Sequence, residues 1–497
     1  MTEHILSALS SSLQQIGSRG RGGETQRPLI VVLLKAPVSR KALDTGGVYP
    51  VYCIQITQRP LPVLLYRRVG ALLRDRLGFL PEYSAQKPPE RECISMELKD
   101  IELAASRLKG VIHETPVNSS RTFSELSGAE LFLKCENLQK TGSFKVRGAY
   151  NKIAALTREQ GQLPMLIASS AGNHAQGVAY AARAMGAQAT IVMPRTTPIA
   201  KVSATEGYGA NVVLWGDCYD EAYAHAAKLQ EETGALFIHP FDDPAVIAGQ
   251  GTISLEILRA LPTVDAVLVP VGGGGLLAGM AVCIKQINPR VQVIGVQAAG
   301  ADAMVRSFCT KQDVNCDAVA TIADGIAVKK PGVLTSSLIW QYVDEMVTVT
   351  DNEIASTILL LLERDKMVVE PAGAAALAAA ISRVVDLEGK RAVCVLSGGN
   401  IDVGFIHRVV EKGLVTRGRQ IKFRTIMRDI PGSLNTFTDI VAQCGANIVM
   451  VQHDRMSVDL QLGDAILHVV CEVSGREHGK ELLRRLEEYG YQVQGES

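Results

Sequence analysis

The segment Thr141-Gly142-Ser143-Phe144-Lys145-Val146-Arg147-Gly148-Ala149 sets a lysine between an aromatic and an aliphatic residue, ahead of a helix-like run. An amine in a partly desolvated pocket has a lowered pKa and attacks carbonyl carbon, the route by which lysine forms a Schiff base. A lone lysine in such a setting is also an ordinary surface group. Corroboration comes first from Gly272, Gly273, Gly274, Gly275 and Leu276, which follow the apolar run 266–270 and open a helix. Consecutive glycines let backbone N–H groups converge on an anion, and a helix dipole adds positive potential there. The spacing fits neither a dinucleotide fingerprint nor a nucleotide P-loop. Phosphate is the anion it suits, with a tight strand-to-helix turn as the plainer alternative.

Two further loops have the same setting. Ser169-Ser170-Ala171-Gly172-Asn173-His174-Ala175-Gln176-Gly177 follows a strand-like run and starts a small-residue helix. The N–H groups of such a helix N-terminus can hold a carboxylate, and the Asn173 amide can donate to an oxygen. A capped helix start is the alternative, and His174 reads as a structural histidine. Ser397-Gly398-Gly399-Asn400 closes the run 392–396. A hydroxyl at Ser397 can meet a ring nitrogen without fixing full positive charge on it; a strand-end turn is the bland reading.

Positioning these loops requires a sheet. From Met96 onward Leu98, Ile101, Ala104, Ala105 and Leu108 recur at helical spacing. Strand-like runs follow at 131–133, 166–168, 189–193, 210–214, 266–270, 292–297 and 392–396, separated mostly by helix-length segments. This order predicts an α/β fold with a mainly parallel sheet covered by helices on both faces. Ligands in such sheets lie beyond the carboxyl ends of strands, where all four loops fall. After position 416 the grammar becomes βαββαβ: strands 421–427, 447–453, 465–473 and 491–493, helices 433–444 and 477–489. That is a ferredoxin-like module. The organisation is therefore a catalytic unit over 96–416, with a smaller subdomain at roughly 135–240, and a tail unit over 417–497.

Residues 1–95 read differently. Nine basic residues, from Arg19 to Arg68, face only Glu3, Glu24 and Asp44 before position 70. The segment shares its basic character with organelle transit peptides, but its helical amphipathicity is poor and prolines interrupt it. It is expected to be a poorly structured extension, with Met96 as an alternative start and a cytoplasmic location as the reading preferred over organelle targeting.

Composition sets outer bounds. The chain has 497 residues, 47% hydrophobic and 21% charged, with no formal net charge. That suits globular cores and gives no electrostatic footprint for nucleic acid. The longest apolar runs, 29–34 and 358–362, fall short of the roughly 20 residues that span a bilayer, so no membrane partner is expected. Ten cysteines without a CxxC pair read as reduced thiols.

Together the four loops resemble the pyridoxal phosphate (PLP) dependent threonine dehydratase family, the threonine ammonia-lyases, close to serine racemase and more distant from cysteine synthase and the tryptophan synthase β chain. The likeness runs from about Met96 to Val415. It implies the tryptophan synthase β-like fold of two open α/β subdomains, with pyridoxal 5'-phosphate as cofactor. Lys145 would carry the Schiff base and Phe144 would lie against the cofactor ring. Asn173 would bond its phenolic oxygen, Gly272 to Leu276 would cradle its phosphate and Ser397 would face its pyridine nitrogen. Ser170, Ala171, Gly172 and Asn173 would surround the substrate carboxylate, and 321–325 and 370–374 would line the pocket. The implied reaction is elimination from L-threonine to 2-oxobutanoate and ammonia, with L-serine also accepted, in isoleucine biosynthesis or threonine catabolism.

Departures narrow the expectation. Ala171 stands where serine racemases carry a serine on the cofactor face opposite the lysine, so elimination is favoured over racemisation. Gln297 and Ala303 stand where those racemases place acidic metal ligands, so no metal site is expected. The tail resembles ACT domains through 428–434 and 445–448, implying an amino-acid effector and a homo-oligomer; a purely structural appendage is the alternative. Two rival functions stay open: a non-catalytic amino-acid sensor that keeps the fold as scaffold, and a serine dehydratase or racemase.

Overall fold

The computed structural model describes residues 96–495 except 162, 458 and 459. The expectation of a poorly structured extension over 1–95 lies outside the described residues. In chain order the strands are β1 (Val117–Ser119), β2 (Glu130–Lys134), β3 (Leu166–Ser169), β4 (Ala189–Met193), β5 (Asn211–Leu214), β6 (Leu236–Phe237), β7 (Ala266–Pro270), β8 (Gln292–Ala298), β9 (Glu345–Val349), β10 (Arg391–Val395), β11 (Gln420–Arg428), β12 (Asn447–Asp454), β13 (Asp464–Glu472) and β14 (Gln492–Gly495).

The largest sheet has the order β1-β2-β10-β7-β8-β9 and is parallel except for β1. Its central strands bury every residue of β7, which explains their continuous apolar character: both faces need cover. Successive residues feed two different cores. Leu131, Leu133, Leu268, Ile294 and Cys394 point to one side, while Val267, Val269, Val293, Val393 and Val395 point to the other. A second, wholly parallel sheet has the order β5-β4-β3-β6 and its own core around Ile153, Leu166, Val178 and Ile191.

The sequence reading places seven of these strands within a residue or two and omits three. The two-residue β6 and the exposed edge strand β1 are too short to show a period. Strand β9 begins at Glu345, a polar start that masks a run whose Met346, Val347 and Val349 are buried.

Close helix packing is set by glycines. A Cβ on Gly249 would come within 2.6 Å of Gly148 Cα, and one on Gly251 within 2.7 Å of the Gly279 carbonyl oxygen. Helices Lys145–Gln160, Pro244–Ala260 and Gly275–Ile287 therefore meet backbone to backbone. Beside this contact lies a buried charge network. The Arg147 guanidinium donates to Glu136 (Nε to Oε2, 2.8 Å) and to Glu256 (Nη1 to Oε1, 2.6 Å). Lys134 joins Glu256 and also donates to the Thr115 carbonyl at 2.6 Å, while the Thr115 hydroxyl donates to Glu136. Glu136 is fully enclosed, which alone would raise its pKa, yet the Arg147 guanidinium beside it holds it below the usual carboxylate range.

The tail sheet has the order β12-β13-β11-β14 and is antiparallel throughout. Helices Ser433–Gln443 and Arg476–Glu488 supply Phe437, Leu482 and Leu486 to a core with Phe423, Leu467 and Val469 of the strands. This is the βαββαβ pattern with the strand order of a ferredoxin-like module.

Breaking one partner of a buried ion pair leaves an uncompensated charge and costs about 3–5 kcal/mol. Arg147→Met should lower the stability of the cofactor-free chain by that order, measured as a shift of the urea unfolding midpoint. An unchanged midpoint would show that the network carries no net stability.

Candidate active site

Strands β2, β10 and β7 are neighbours in the large sheet, and the three loops leaving their carboxyl ends carry Lys145, Ser397 and Gly272 to Gly275. The fourth loop leaves β3 of the small sheet and carries Ser170 to Asn173. Local geometry then joins them. Phe144 N donates to the Ser397 carbonyl at 3.2 Å, Gly399 N to the Gly142 carbonyl at 2.9 Å, and Ser143 forms an antiparallel bridge with Gly398. Asn400 Nδ2 donates to Asn173 Oδ1 at 2.8 Å, which ties the Ser397 loop to the Ser170 loop. Gly177 lets helix Asn173–Ala184 approach the Lys145 backbone, since a Cβ there would sit 3.1 Å from Lys145 C.

The glycine loop is brought in by a segment that the sequence reading did not single out. Lys145 Nζ donates to the Pro240 carbonyl at 3.0 Å. The next residue, Phe241, lays its ring on Gly273, where a Cβ would meet ring carbons at 2.5 Å, and its carbonyl oxygen on Gly275, at 2.8 Å. Gly274 has φ +96° and would crowd Met304, Thr335 and Ile339 with any side chain. The glycines thus have a packing reason as well as a ligand reason, which the sequence alone did not separate.

The loop still offers what an anion needs. Among the described residues, the N–H groups of Gly272 to Leu277 donate to no carbonyl or side chain, and Ala278 N is the first to bond, to the Gly274 carbonyl at 2.8 Å. They lie at the start of helix Gly275–Ile287, where the dipole favours negative charge. The Ser170 loop is more occupied: Ser170 N donates to the Val192 carbonyl at 3.2 Å and Gly172 N to Ser170 Oγ at 3.2 Å, which leaves the N–H groups of Ala171 and Asn173 for a ligand before Gln176 N closes the first helical turn.

Electrostatics at the centre is dominated by burial. Lys145 starts helix Lys145–Gln160 with its amine 5.3 Å from the Phe144 ring centroid. Desolvation pushes its pKa down to about 8, against the pull of nearby Glu370. His174 is pushed down to about 3 by burial and then by Lys145; neutral, it bonds the Ile238 carbonyl through Nε2 at 2.8 Å. His239 is lowered for the same reason, with its Nδ1 accepting from Asp242 N at 2.8 Å. Both histidines are structural here. Glu370, on the segment expected to line the pocket but without an assigned role, is buried and accepts from Asn173 Nδ2 at 2.7 Å. Gln297 is buried too, its Oε1 accepting from Val305 N at 2.8 Å.

The donor set fits pyridoxal phosphate. It presents an amine near neutrality, a row of free N–H groups, an amide and the buried Ser397, with the Ser143 and Ser169 hydroxyls buried and without a partner nearby. Lys145 would hold the aldehyde carbon, the glycine loop the phosphate, and Asn173 and Ser397 the ring's polar atoms.

Comparison with known proteins agrees with this geometry. Residues 108–398 match the family described as "Pyridoxal-phosphate dependent enzyme". The "L-threonine ammonia-lyase" of Thermotoga maritima is 50% identical over 396 residues, covering 80% of this chain and 98% of that protein. Among solved structures, the processed form of threonine deaminase isoform 2 from Solanum lycopersicum is 40% identical, covering 63% of this chain and 86% of that chain, with a TM-score of 0.60. Maize serine racemase is 36% identical over 64% of this chain and 98% of its own, also at 0.60. With its catalytic loops, sheet order and most of its described length accounted for in this way, the chain belongs to the family of pyridoxal-phosphate dependent enzymes.

Proposed function

We propose that this enzyme is a threonine ammonia-lyase, which removes water and then, by hydrolysis, ammonia from L-threonine to leave 2-oxobutanoate, and which takes L-serine to pyruvate by the same route. The observation that carries this reading is the convergence of the Lys145 amine, the Asn173 amide, Ser397 and the glycine loop at one place. The printed names of the Thermotoga maritima and Solanum lycopersicum relatives support it.

Pyridoxal phosphate, when bound, draws electron density from the substrate's α-carbon so that its proton can leave. Everything else falls to side chains and backbone. Lys145 would hold the cofactor, and its amine, brought down to about 8 by burial, would remove the α-proton as general base from its unprotonated fraction. The N–H groups of Gly272 to Leu276 would hold the phosphate without a titrating cation. Those of Ala171 and Asn173, the uncommitted N–H groups of the Ser170 to Asn173 loop, would hold the substrate carboxylate and so fix the α-proton toward Lys145. Ala171 supplies no second acid on the opposite face, and elimination requires none. Racemisation is the second reading, favoured by the likeness to maize serine racemase and opposed by Ala171.

The tail is proposed to be an ACT domain that senses an amino acid. Its cavity is lined by Met427, Arg428, Ser433, Asp464 and Tyr491, among others. Arg428 and Asp464 in that lining pair with each other (Nη1 to Oδ1, 3.4 Å), so an amino acid bound there would exchange this pair for its own two charged ends. A homo-oligomer in the cytoplasm, serving isoleucine biosynthesis or threonine catabolism, completes the proposal. Among the described residues no helix is long and apolar enough to cross a membrane.

Only the unprotonated amine attacks an aldehyde, and protonation of Lys145 is governed by a pKa lowered to about 8. The rate at which cofactor-free chain captures pyridoxal phosphate should therefore rise about tenfold per pH unit below 8 and level off above it. Lys145→Ala serves as the blank; a rate still climbing past pH 10 would describe a solvated lysine. Chromatography of products from L-threonine and L-serine should show 2-oxobutanoate and pyruvate with no D-serine, and D-serine as the main product would make racemisation the activity. Deleting residues after Arg417 should abolish inhibition by an end product such as isoleucine while sparing turnover. Inhibition that survives the deletion would place the effector elsewhere.

A further inference from the structure

Glu370 occupies the N-cap position of helix Pro371–Ile381, yet its side chain makes no capping bond. It turns instead to Asn173, accepting from Nδ2 at 2.7 Å. On the other end of the same amide, Asn173 Oδ1 accepts from Asn400 Nδ2 at 2.8 Å. Asn400 is itself fixed, because its Nδ2 also donates to the Thr141 carbonyl at 2.7 Å, so both of its N–H groups are used. Rotating the Asn173 amide by half a turn would set its oxygen against the Glu370 carboxyl oxygen and its NH2 against the NH2 of Asn400. Only one orientation satisfies both neighbours, and it leaves one Nδ2–H of Asn173 uncommitted.

The surroundings are shaped to admit this carboxyl group. Gly398 lies directly beside Glu370 Oε1, with no room for a Cβ, and a Cβ there would also come 3.1 Å from Asn173 Nδ2. Glu370 N bonds the Gly398 carbonyl at 3.0 Å. The Ser397 loop thus carries a glycine where the carboxyl group passes on its way to Asn173.

We propose that Glu370 is a positioning residue that, with Asn400, holds the Asn173 amide so that its free N–H is presented to the cofactor's phenolic oxygen. This rests on the reading of Asn173 as a cofactor contact. Burial, then the neighbouring Asp324, raises the Glu370 pKa to about 8, with the Asn173 hydrogen bond, Lys201 and Lys145 opposing. Ionised or protonated, the group keeps an oxygen that accepts from Asn173, so a glutamine of the same length should replace it.

The test uses the full chain freed of cofactor and titrated with pyridoxal phosphate, binding being followed by the visible absorbance of the bound form, with circular dichroism to confirm folding. Losing a hydrogen bond at a buried site should weaken binding about tenfold in Asn173→Ala and to a similar degree in Glu370→Leu. Glu370→Gln should stay within about threefold of the unaltered chain, and the Asn173→Ala/Glu370→Leu double variant should bind no more weakly than Asn173→Ala alone. Glu370→Met replaces the leucine variant if the latter does not fold. The proposal is overturned if the apolar variant binds normally, if Glu370→Gln is as impaired as the apolar variant, or if the two losses add. Normal binding by Asn173→Ala would instead overturn the reading of Asn173 on which the proposal rests.

Discussion

The site depends on a buried arginine that touches no reacting atom. Arg147 stands two residues after Lys145 on the same helix, and at 3.6 residues per turn the two side chains point about 200° apart. Behind the helix, Arg147 is locked between Glu136 from the loop after β2 and Glu256 from helix Pro244–Ala260, with Lys134 completing a set of two cations and two carboxylates. In front, Lys145 is left facing the loops. A set that is balanced in charge and fully bonded tolerates its own burial, and it adds no net charge to bias the amine beside it.

From that anchor the remaining parts follow by contact. Helix Pro244–Ala260 holds Arg147 through Glu256, meets Gly148 through Gly249, and meets helix Gly275–Ile287 through Gly251. The helix that bears the Lys145 amine and the helix that the glycine loop opens are thus fixed to one common neighbour. The 239–241 segment just ahead of that neighbour closes the triangle, with Pro240 on Lys145 and Phe241 on the glycine loop. Backbone-to-backbone packing allows little play, so the distance between amine and phosphate cradle is a property of the scaffold and not of flexible side chains.

Much of this was legible beforehand because each chemical loop is announced locally: an apolar run that needs cover on both faces, then glycine, serine or asparagine, then a helix. The tail was legible for a related reason, since β11 alternates Phe423, Thr425 and Met427 inward with exposed residues between them. What stayed hidden is what only distance in sequence creates. Glu370 reaches Asn173 across 197 positions and Pro240 reaches Lys145 across 95, with no periodicity to mark either. Arg147 was equally opaque: a basic residue in a helix reads as surface, and its enclosure shows only once Glu136 and Glu256 are seen around it. The four glycines were read for permissiveness toward an anion, whereas Phe241, Met304 and Thr335 demand several of them for packing alone.

The same physics explains the unusual electrostatics at the centre. Burial drives Lys145 down to about 8, His174 down to about 3 and Glu370 up to about 8, each toward its neutral form. A cleft that bound phosphate and carboxylate through lysines or arginines would press Lys145 further toward neutrality and would couple every binding step to pH. Peptide N–H groups avoid this, because they carry fixed dipoles that do not titrate. On the proposed reading the anions are met by backbone, and the ionisable groups buried at the centre are Lys145, Glu370 and the histidines His174 and His239. Under the proposed function, that division would let one lysine serve as nucleophile and base near neutral pH without a charged residue bound to the anions to switch it on.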